Sequence, residues 1–421
     1  MIVLSGAHLV LPDRMLTPGT LVIDGDRIVD VRAGSTSGAP GESIAGSRGV
    51  AFDHHYIVPG FIDVHVHGVE GFDTLDIVDV VDGGNPVAAM AARLPRYGVT
   101  AFCPTTVACA PDALARVLRD VRQARKAPPP RAARVLPAHL ESNFISAEFR
   151  GAQPLACLRS PRAALLGAPA PGRGEHGQTH GFSAWELLTE IERAGADVGI
   201  VTLAPELDGG LDLVRWISSH GPRVSLGHSG ATFEAGLEAI AAGARHATHL
   251  FNRMPPLGHR TPGLAGAILQ SEEIAAEVIC DGYHVHPALV RTALAAKGPS
   301  RIMAITDGTA VSGLPAGTRA MLGGQPIIAD ESAAFLSDGT LAGSALTMDR
   351  AFKMLVGKVK LSLVDAATIC STTAARELGL AGHGILARDA IADLVVLDDK
   401  MSVVQTYVAG QLVYSRSSGT A

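Results

Sequence analysis

Eight short apolar runs, each closing on polar groups, restrict this chain to few architectures. They are Phe61–His67, Thr100–Thr106, Val135–Glu141, Gly199–Pro205, Arg223–Ser229, His246–Phe251, Ala276–Gly282 and Ile302–Gly308. Most show little polar–apolar alternation, the pattern of strands buried on both faces of a parallel sheet. Helix-like segments separate several of them. Pro111–Lys126 is rich in Ala, Leu and Arg; Ser183–Gly195 opens on a capping box of Ser183 and Glu186; Glu234–Gly243 and Pro287–Lys297 follow. Such alternation over about 250 residues, with polar groups at the C-terminal strand ends, predicts an α/β fold, a (β/α)8 TIM-like barrel. The strand ends carry His65, His67, Glu141, His228, His249, Asp281 and Asp307.

The first run ends in His65-Val66-His67. Alternate side chains of a strand share a face, so the two imidazoles point the same way and make half a metal site. The chain flanking the barrel has a different pattern. Residues 2–32 alternate and turn at Asp24-Gly25-Asp26, while Ala392–Asp398 and Ser402–Tyr414 read as strands with a turn at Gly410. Neither piece can bury a core alone. Both termini are therefore expected to build one small β-sandwich, from 1–57 and 385–421, beside a barrel over 58–384. Ala39–Arg48 reads as a loop, Gly323–Leu341 as a hairpin excursion after the eighth strand, and Ser142–Gly181 as a long active-site cover.

Composition fits an enzyme of one large domain and a satellite: 421 residues, 47% of them hydrophobic. A net charge of −6 without long charge runs argues against a nucleic-acid partner. No apolar run is long enough to span a bilayer, and no basic segment leads into an apolar one at the N-terminus. Five cysteines, scattered and without a Cys-x-x-Cys pair, predict a cytoplasmic protein with no disulfide framework.

These runs sit in longer motifs: Pro59-Gly60-Phe61-Ile62-Asp63-Val64-His65-Val66-His67-Gly68, His139-Leu140-Glu141, Ala204-Pro205-Glu206 and Leu226-Gly227-His228-Ser229. After them come Ala247-Thr248-His249-Leu250-Phe251-Asn252, Arg260-Thr261-Pro262-Gly263-Leu264, Asp281-Gly282-Tyr283-His284-Val285-His286-Pro287 and Thr306-Asp307-Gly308. Asp338-Gly339-Thr340-Leu341-Ala342-Gly343-Ser344 and Ala392-Asp393-Leu394-Val395-Val396-Leu397-Asp398 complete the series. Over nearly its whole length the chain resembles the N-acetylglucosamine-6-phosphate deacetylases of the amidohydrolase superfamily.

The resemblance implies a divalent metal, zinc on ligand grounds, with one or two ions per chain. Many binuclear amidohydrolases bridge their metals with a carboxylated lysine, but no lysine occurs from residue 127 to 296. The anion left is Glu141, and Glu141, His228 and His249 with water make an open three-ligand site. His65 and His67 have two readings, a second metal or hydrogen-bonded support. Asp307 takes the place of the family's general base and acid. His284 stands where relatives contact the sugar or its amide, and Asn252 and Arg253 at positions that help to hold the phosphate. Arg260 matches an arginine that reaches the phosphate from a neighbouring subunit, which implies a homodimer acting on a small phosphorylated amino sugar.

Three departures bear on substrate. Ser142-Asn143 replaces the usual Gly-Pro after the metal glutamate, Arg253 replaces an alanine, and Thr372-Thr373 replaces Asn-Pro. The first was expected to bring polar groups into the substrate wall. Alternatives to the deacetylation of N-acetylglucosamine 6-phosphate are a related N-acyl amino sugar, such as the galacto epimer, and another amidohydrolase activity on N-acyl amino acids or cyclic amides. A non-catalytic protein on the same scaffold would have lost a ligand or Asp307, and none is lost.

Overall fold

The computed structural model describes residues 1–34, 48–76, 84–167 and 181–416. All eight expected strands pair in parallel and in chain order: Phe61–Val66, Val99–Thr106, Ala138–Glu141, Val198–Leu203, Arg223–Leu226, His246–Ala247, Ala275–Ile279 and Ile302–Ile305. The eighth returns to the first through a parallel bridge between Val66 and Gly308, with the His67 amide donating to the Gly308 carbonyl at 2.8 Å. The sheet is thus a nearly closed barrel.

Several strands stop before their sequence runs do, for a physical reason. His228, His249 and Asp307 have φ of +49°, +29° and +49°. A left-handed residue cannot continue a β-ladder, so the chain turns at the residues expected to carry chemistry. Non-glycine residues in this region cost about 1–3 kcal/mol each and persist only where their surroundings hold them. The third run is also interrupted: Arg134–Val135 pairs separately from Ala138–Glu141, with Pro137 between them lacking an amide to donate.

The helices follow the sequence closely. Pro111–Lys126 starts on a proline and buries Leu114, Val117, Leu118 and Val121, three and four residues apart. Ala184–Ala194 carries both halves of the capping box of Ser183 and Glu186. Around the barrel one apolar core joins strands to helices. In it Phe61 is fully buried, 5.3 Å from the Phe352 ring centroid; truncating either ring should cost about 3–5 kcal/mol.

The two termini meet in one continuous, mostly antiparallel sheet of eight strands. Its path runs Gln411–Ser415, Val403–Val408, Leu394–Leu397, Tyr56–Pro59, Ile2–Val10, Met15–Asp24 and Arg27–Ala33, with Arg48–Ala51 beside Ile2–Val10. Leu394–Leu397 pairs directly with Tyr56–Pro59, which joins the C-terminus to the N-terminal half. Leu4, Leu21, Ile28, Ile57, Leu394 and Val396 make a second apolar core there. Nearly all of the expected loop Ala39–Arg48 lies outside the described residues.

After the eighth strand the expected hairpin is larger than the sequence suggested. Arg319–Leu322, Gln325–Ala329, Ala333–Leu336 and Leu341–Ser344 form a four-stranded antiparallel meander. Among the described residues no helix is long and apolar enough to cross a membrane.

Candidate metal centre and active site

Glu141, His228 and His249 arrive from the ends of the third, fifth and sixth barrel strands and converge on one point. Glu141 Oε1 lies 2.8 Å from His228 Nε2 and 2.9 Å from His249 Nε2, and the two nitrogens are 3.1 Å apart. The other nitrogen of His228, Nδ1, faces the Phe149 carbonyl at 2.8 Å. A carbonyl only accepts, so Nδ1 carries the proton, and in a neutral ring Nε2 turns a lone pair on the Glu141 carboxylate. Two lone pairs at that distance repel unless a cation lies between them. The spacing is close to the ~3.3 Å between ligand atoms of a tetrahedral site with metal–nitrogen bonds of about 2.0–2.1 Å. These residues fit a divalent metal.

A second set stands beside the first. His65 Nε2, His67 Nε2 and Asp307 Oδ1 are mutually 3.2, 3.4 and 3.2 Å apart. His65 Nδ1 donates to Glu277 Oε2 at 2.9 Å, which again directs the Nε2 lone pair at the cluster. Glu141 sits between the sets, 3.8 Å from His65 Nε2 and 3.6 Å from His67 Nε2. The donor arrangement therefore accommodates one ion or two. A third grouping, His65, His139 and Glu277, is support instead, because both His139 nitrogens already have partners, the Val64 carbonyl and the Thr202 hydroxyl.

Without a metal, protons take its place among these groups. In that state burial would raise the Glu141 carboxyl, but protonated His228, with protons shared from His228 and His249, and the charge of His65 outweigh it and hold Glu141 well below the usual range. Asp307 is likewise held down, with burial opposed by His67, His65 and His249. Burial lowers His65, yet the Glu277 carboxylate, then Asp307 and Glu141, push it to about 10, so a metal entering there must displace the Nε2 proton to reach the lone pair. Desolvation takes His139 down to about 3. Asp63, one step deeper, accepts from Thr306 Oγ1 at 2.6 Å and sits against the His65 amide at 3.3 Å, so it orients backbone at the barrel closure.

Two residues at this site were not singled out from the sequence. Glu277 is fully buried beneath the ligands and also accepts from His246 Nε2 at 2.8 Å and the His249 amide at 3.2 Å. Its signal was a lone carboxylate inside the apolar strand Ala275–Ile279. Gln153, in the long loop after Glu141, donates its amide to Glu141 Oε2 and accepts from the Ala108 amide at 2.7 Å. No sequence pattern marked it.

The cleft over these groups is lined by His67, Glu141, Gln153, Asn252, Arg253, His284 and Asp307 among others. His284 Nδ1 faces Asp281 Oδ2 at 2.5 Å, so Nε2 is left to accept from a ligand. Asn252 leans on the His249 carbonyl at 3.3 Å, and Arg253 donates to the Leu341 carbonyl at 3.0 Å across the cleft mouth. Gly343 also lines the cleft at φ +68°, where a Cβ would lie 2.9 Å from the Asp307 carbonyl oxygen. The enclosed volume is about 50 Å³, below the ~300 Å³ of a usual ligand pocket.

Arg260 is exposed on the loop before helix Gly263–Gln270 and is not in the cleft of its own chain. His286 caps helix Pro287–Lys297, accepting from the Ala288 amide. The expected polar substrate wall at Ser142-Asn143 is corrected by the structure. Ser142 Oγ donates to the Thr202 carbonyl at 2.5 Å, and Asn143 Nδ2 donates to the carbonyls of Cys109 and Cys157 at 2.8 and 2.7 Å. Both are buried and neither lines the cleft. Thr372 and Thr373 also bind backbone carbonyls, those of Gly384 and Pro299.

Comparison with known proteins agrees with this geometry. Residues 214–413 match the amidohydrolase family. N-acetylglucosamine-6-phosphate deacetylase of Lysinibacillus sphaericus is 35% identical over 357 residues, 85% of each chain. The Homo sapiens enzyme of that name is 37% identical over 366 residues, 85% of this chain and 83% of that one. A Mycobacterium smegmatis N-acetyl-D-glucosamine-6-phosphate deacetylase mutant, solved with N-acetyl-D-glucosamine-6-phosphate, superposes with a TM-score of 0.83 at 30% identity, covering 98% of this chain and 99% of that one. With its barrel, its converging ligands and these relatives, the chain belongs to the N-acetylglucosamine-6-phosphate deacetylase family of amidohydrolases.

Proposed function

We propose that the protein is a divalent-metal-dependent hydrolase that converts N-acetylglucosamine 6-phosphate and water to glucosamine 6-phosphate and acetate. The observation that carries this is the convergence of Glu141, His228 and His249 beside Asp307, in a cleft that also holds Asn252, Arg253 and His284. Glu141, His228 and His249 hold the ion, with His65 and His67 offering a second place for one. The nitrogen-rich, buried donor set favours zinc. A metal held there supplies Lewis acidity to the acyl oxygen and to the attacking water.

The protein's own groups do the rest. Asp307, kept ionised by the histidines around it, accepts a proton from water as the new C–O bond forms. It then returns that proton to the amine nitrogen as the C–N bond breaks. His284 Nε2, oriented by Asp281, accepts from a sugar hydroxyl or the amide N–H. Asn252 and Arg253 lie where a phosphate would sit, and Arg253 uses one N–H on Leu341, leaving others for phosphate oxygens.

Arg260 supports a two-fold homodimer with reciprocal sites. It is exposed, makes no hydrogen bond or ion pair among the described residues, and lies on an outward loop with the exposed Leu257. In each site, one protomer supplies Asp307 and its partner supplies an arginine to the phosphate. We place the protein in the cytoplasm, supported by five buried cysteines, all unpaired. We also assign 1–57 and 385–421 to the satellite domain and 58–384 to the barrel. The separate apolar core of the terminal sheet supports this division.

Acetate release should be measured with N-acetylglucosamine 6-phosphate, its galacto epimer and both unphosphorylated sugars. The gluco 6-phosphate should give the highest kcat/KM. A higher value on any of the other three would replace the assignment.

A further inference from the structure

At the opposite end of the barrel from the metal centre, a cavity of about 1050 Å³ opens between the strand starts and the terminal sheet. Arg125, Arg131, Arg134, Arg223 and Arg245 line it, and no carboxylate does. That concentration of cations is unusual in a chain of net charge −6.

Two of the arginines have structural duties. Arg245 caps the end of helix Phe233–Ala242, donating to the carbonyls of Ile240 and Ala244 at 2.7 and 2.8 Å. Arg125 donates to the Ala196 carbonyl at 2.8 Å and pairs with Asp197. Cations at helix C-termini are ordinary, and these two need no ligand.

The other three are not explained in this way. Arg131 is exposed and has no polar partner among the described residues. The preceding run Pro128–Pro130, with its fixed φ angles, sets its place. Arg134 approaches Asp393 only to 3.6 Å, and its Nε is buried with no acceptor. Arg223 is 3.8 Å from Glu377, a carboxylate already engaged by Arg301 at 3.2 Å and Arg376 at 2.8 Å. Unspent guanidinium donors around one hollow call for an oxyanion with several acceptor oxygens.

We propose that this basal cavity is a second ligand site, taking the phosphate of a small phosphate ester on Arg131, Arg134 and Arg223. The lining also offers apolar surface, with the proline run, Leu378, Leu380, Val408 and Val413. A nucleoside phosphate can use both the arginines and this apolar surface, whereas a sugar phosphate uses only the arginines. The strands that start at this cavity lead to Glu141, His228 and His249 at their far ends. The site therefore lies directly beneath the three principal ligands.

The test is calorimetric titration of the metal-loaded protein with adenosine monophosphate and with inorganic phosphate. Adenosine monophosphate should bind one per chain. Arg131→Glu and Arg223→Gln should each weaken it at least about tenfold, the scale of one charge-assisted hydrogen bond. Both variants should still release acetate at the normal rate, which reports an intact fold. Tighter binding of the nucleotide than of inorganic phosphate assigns the apolar surface to a base; equal binding assigns the site to phosphate esters in general, sugar phosphates included. Absence of binding to the wild type would overturn the proposal. So would unchanged affinity in both variants, or loss of binding in Arg253→Ala, which would place the phosphate in the catalytic cleft.

Discussion

Replacing Glu277 by Gln probes the buried layer that sets the metal ligands. Glu277 touches no cleft residue's reactive face, yet it accepts from His65 Nδ1, His246 Nε2 and the His249 amide. The isosteric amide keeps one acceptor oxygen, which should stay on the His65 and His249 side. Its NH2 group then faces His246, whose Nδ1 has no partner among the described residues. That ring can move its proton to Nδ1 and accept at Nε2, but the buried Nδ1–H then lacks an acceptor, which adds about 1–3 kcal/mol to the cost. What is lost is the charge on the acceptor, which roughly doubles hydrogen-bond strength. The expected cost to metal-free stability is at least about 1–2 kcal/mol, the difference between charged and neutral bonds. Metal affinity should fall about 10–100-fold, the usual effect of removing a hydrogen bond behind a ligand histidine. Competition with a chelating dye measures this directly, beside urea unfolding of the stripped protein. Metal affinity within about threefold of the wild type would refute the role given to Glu277, since the usual loss for such a change is at least about tenfold.

Other outcomes follow from the same contacts. Asp307→Asn should keep its metal and its fold but lose at least about a hundredfold in kcat, as expected for a lost acid/base; near-normal turnover would remove Asp307 from the mechanism. Glu277 is also held well below its usual 4.5, because His65, His139 and the bonds from His246 and His65 outweigh burial. A depressed carboxyl stabilises the fold above its unfolded value and loses that contribution as pH falls towards its folded one. Stripped wild-type protein should therefore lose stability below about pH 4.5, with a shallower slope in Glu277→Gln; identical slopes would deny the shift. Arg260→Ala should raise KM for the phosphorylated substrate far more than it lowers kcat, and mixing it with Asp307→Asn should restore some activity through hybrid sites. No recovery in verified hybrid dimers would place Arg260 outside the partner's site.

Much of this was legible because buried polar groups at strand ends are costly and rarely idle. His65, His67, Glu141, His228, His249 and Asp307 all stood where apolar runs closed, and the structure gathers all six. The alternation of strand and helix, the capping box at Ser183 and the joining of both termini were readable from periodicity and caps. Strand ends were overextended, because no residue pattern reveals that His228, His249 and Asp307 turn left-handed. Ser142 and Asn143 look like substrate contacts in sequence, but their hydrogen bonds turn them into the scaffold. Glu277 shows as an odd carboxylate in its strand, but its partners come from two other strands, and only the barrel closure brings His65 near. Gln153 reaches Glu141 from an irregular loop, which carries no period to read.

The central claim is that hydrolysis depends on a metal held by Glu141, His228 and His249. Protein stripped of metal should release no acetate from N-acetylglucosamine 6-phosphate, and zinc added back in known amounts should restore activity until one or two ions per chain are bound. Glu141→Ala, titrated in parallel, should neither retain the ion at micromolar concentration nor recover activity. Full activity in the stripped protein, or equal recovery in Glu141→Ala, would contradict the account.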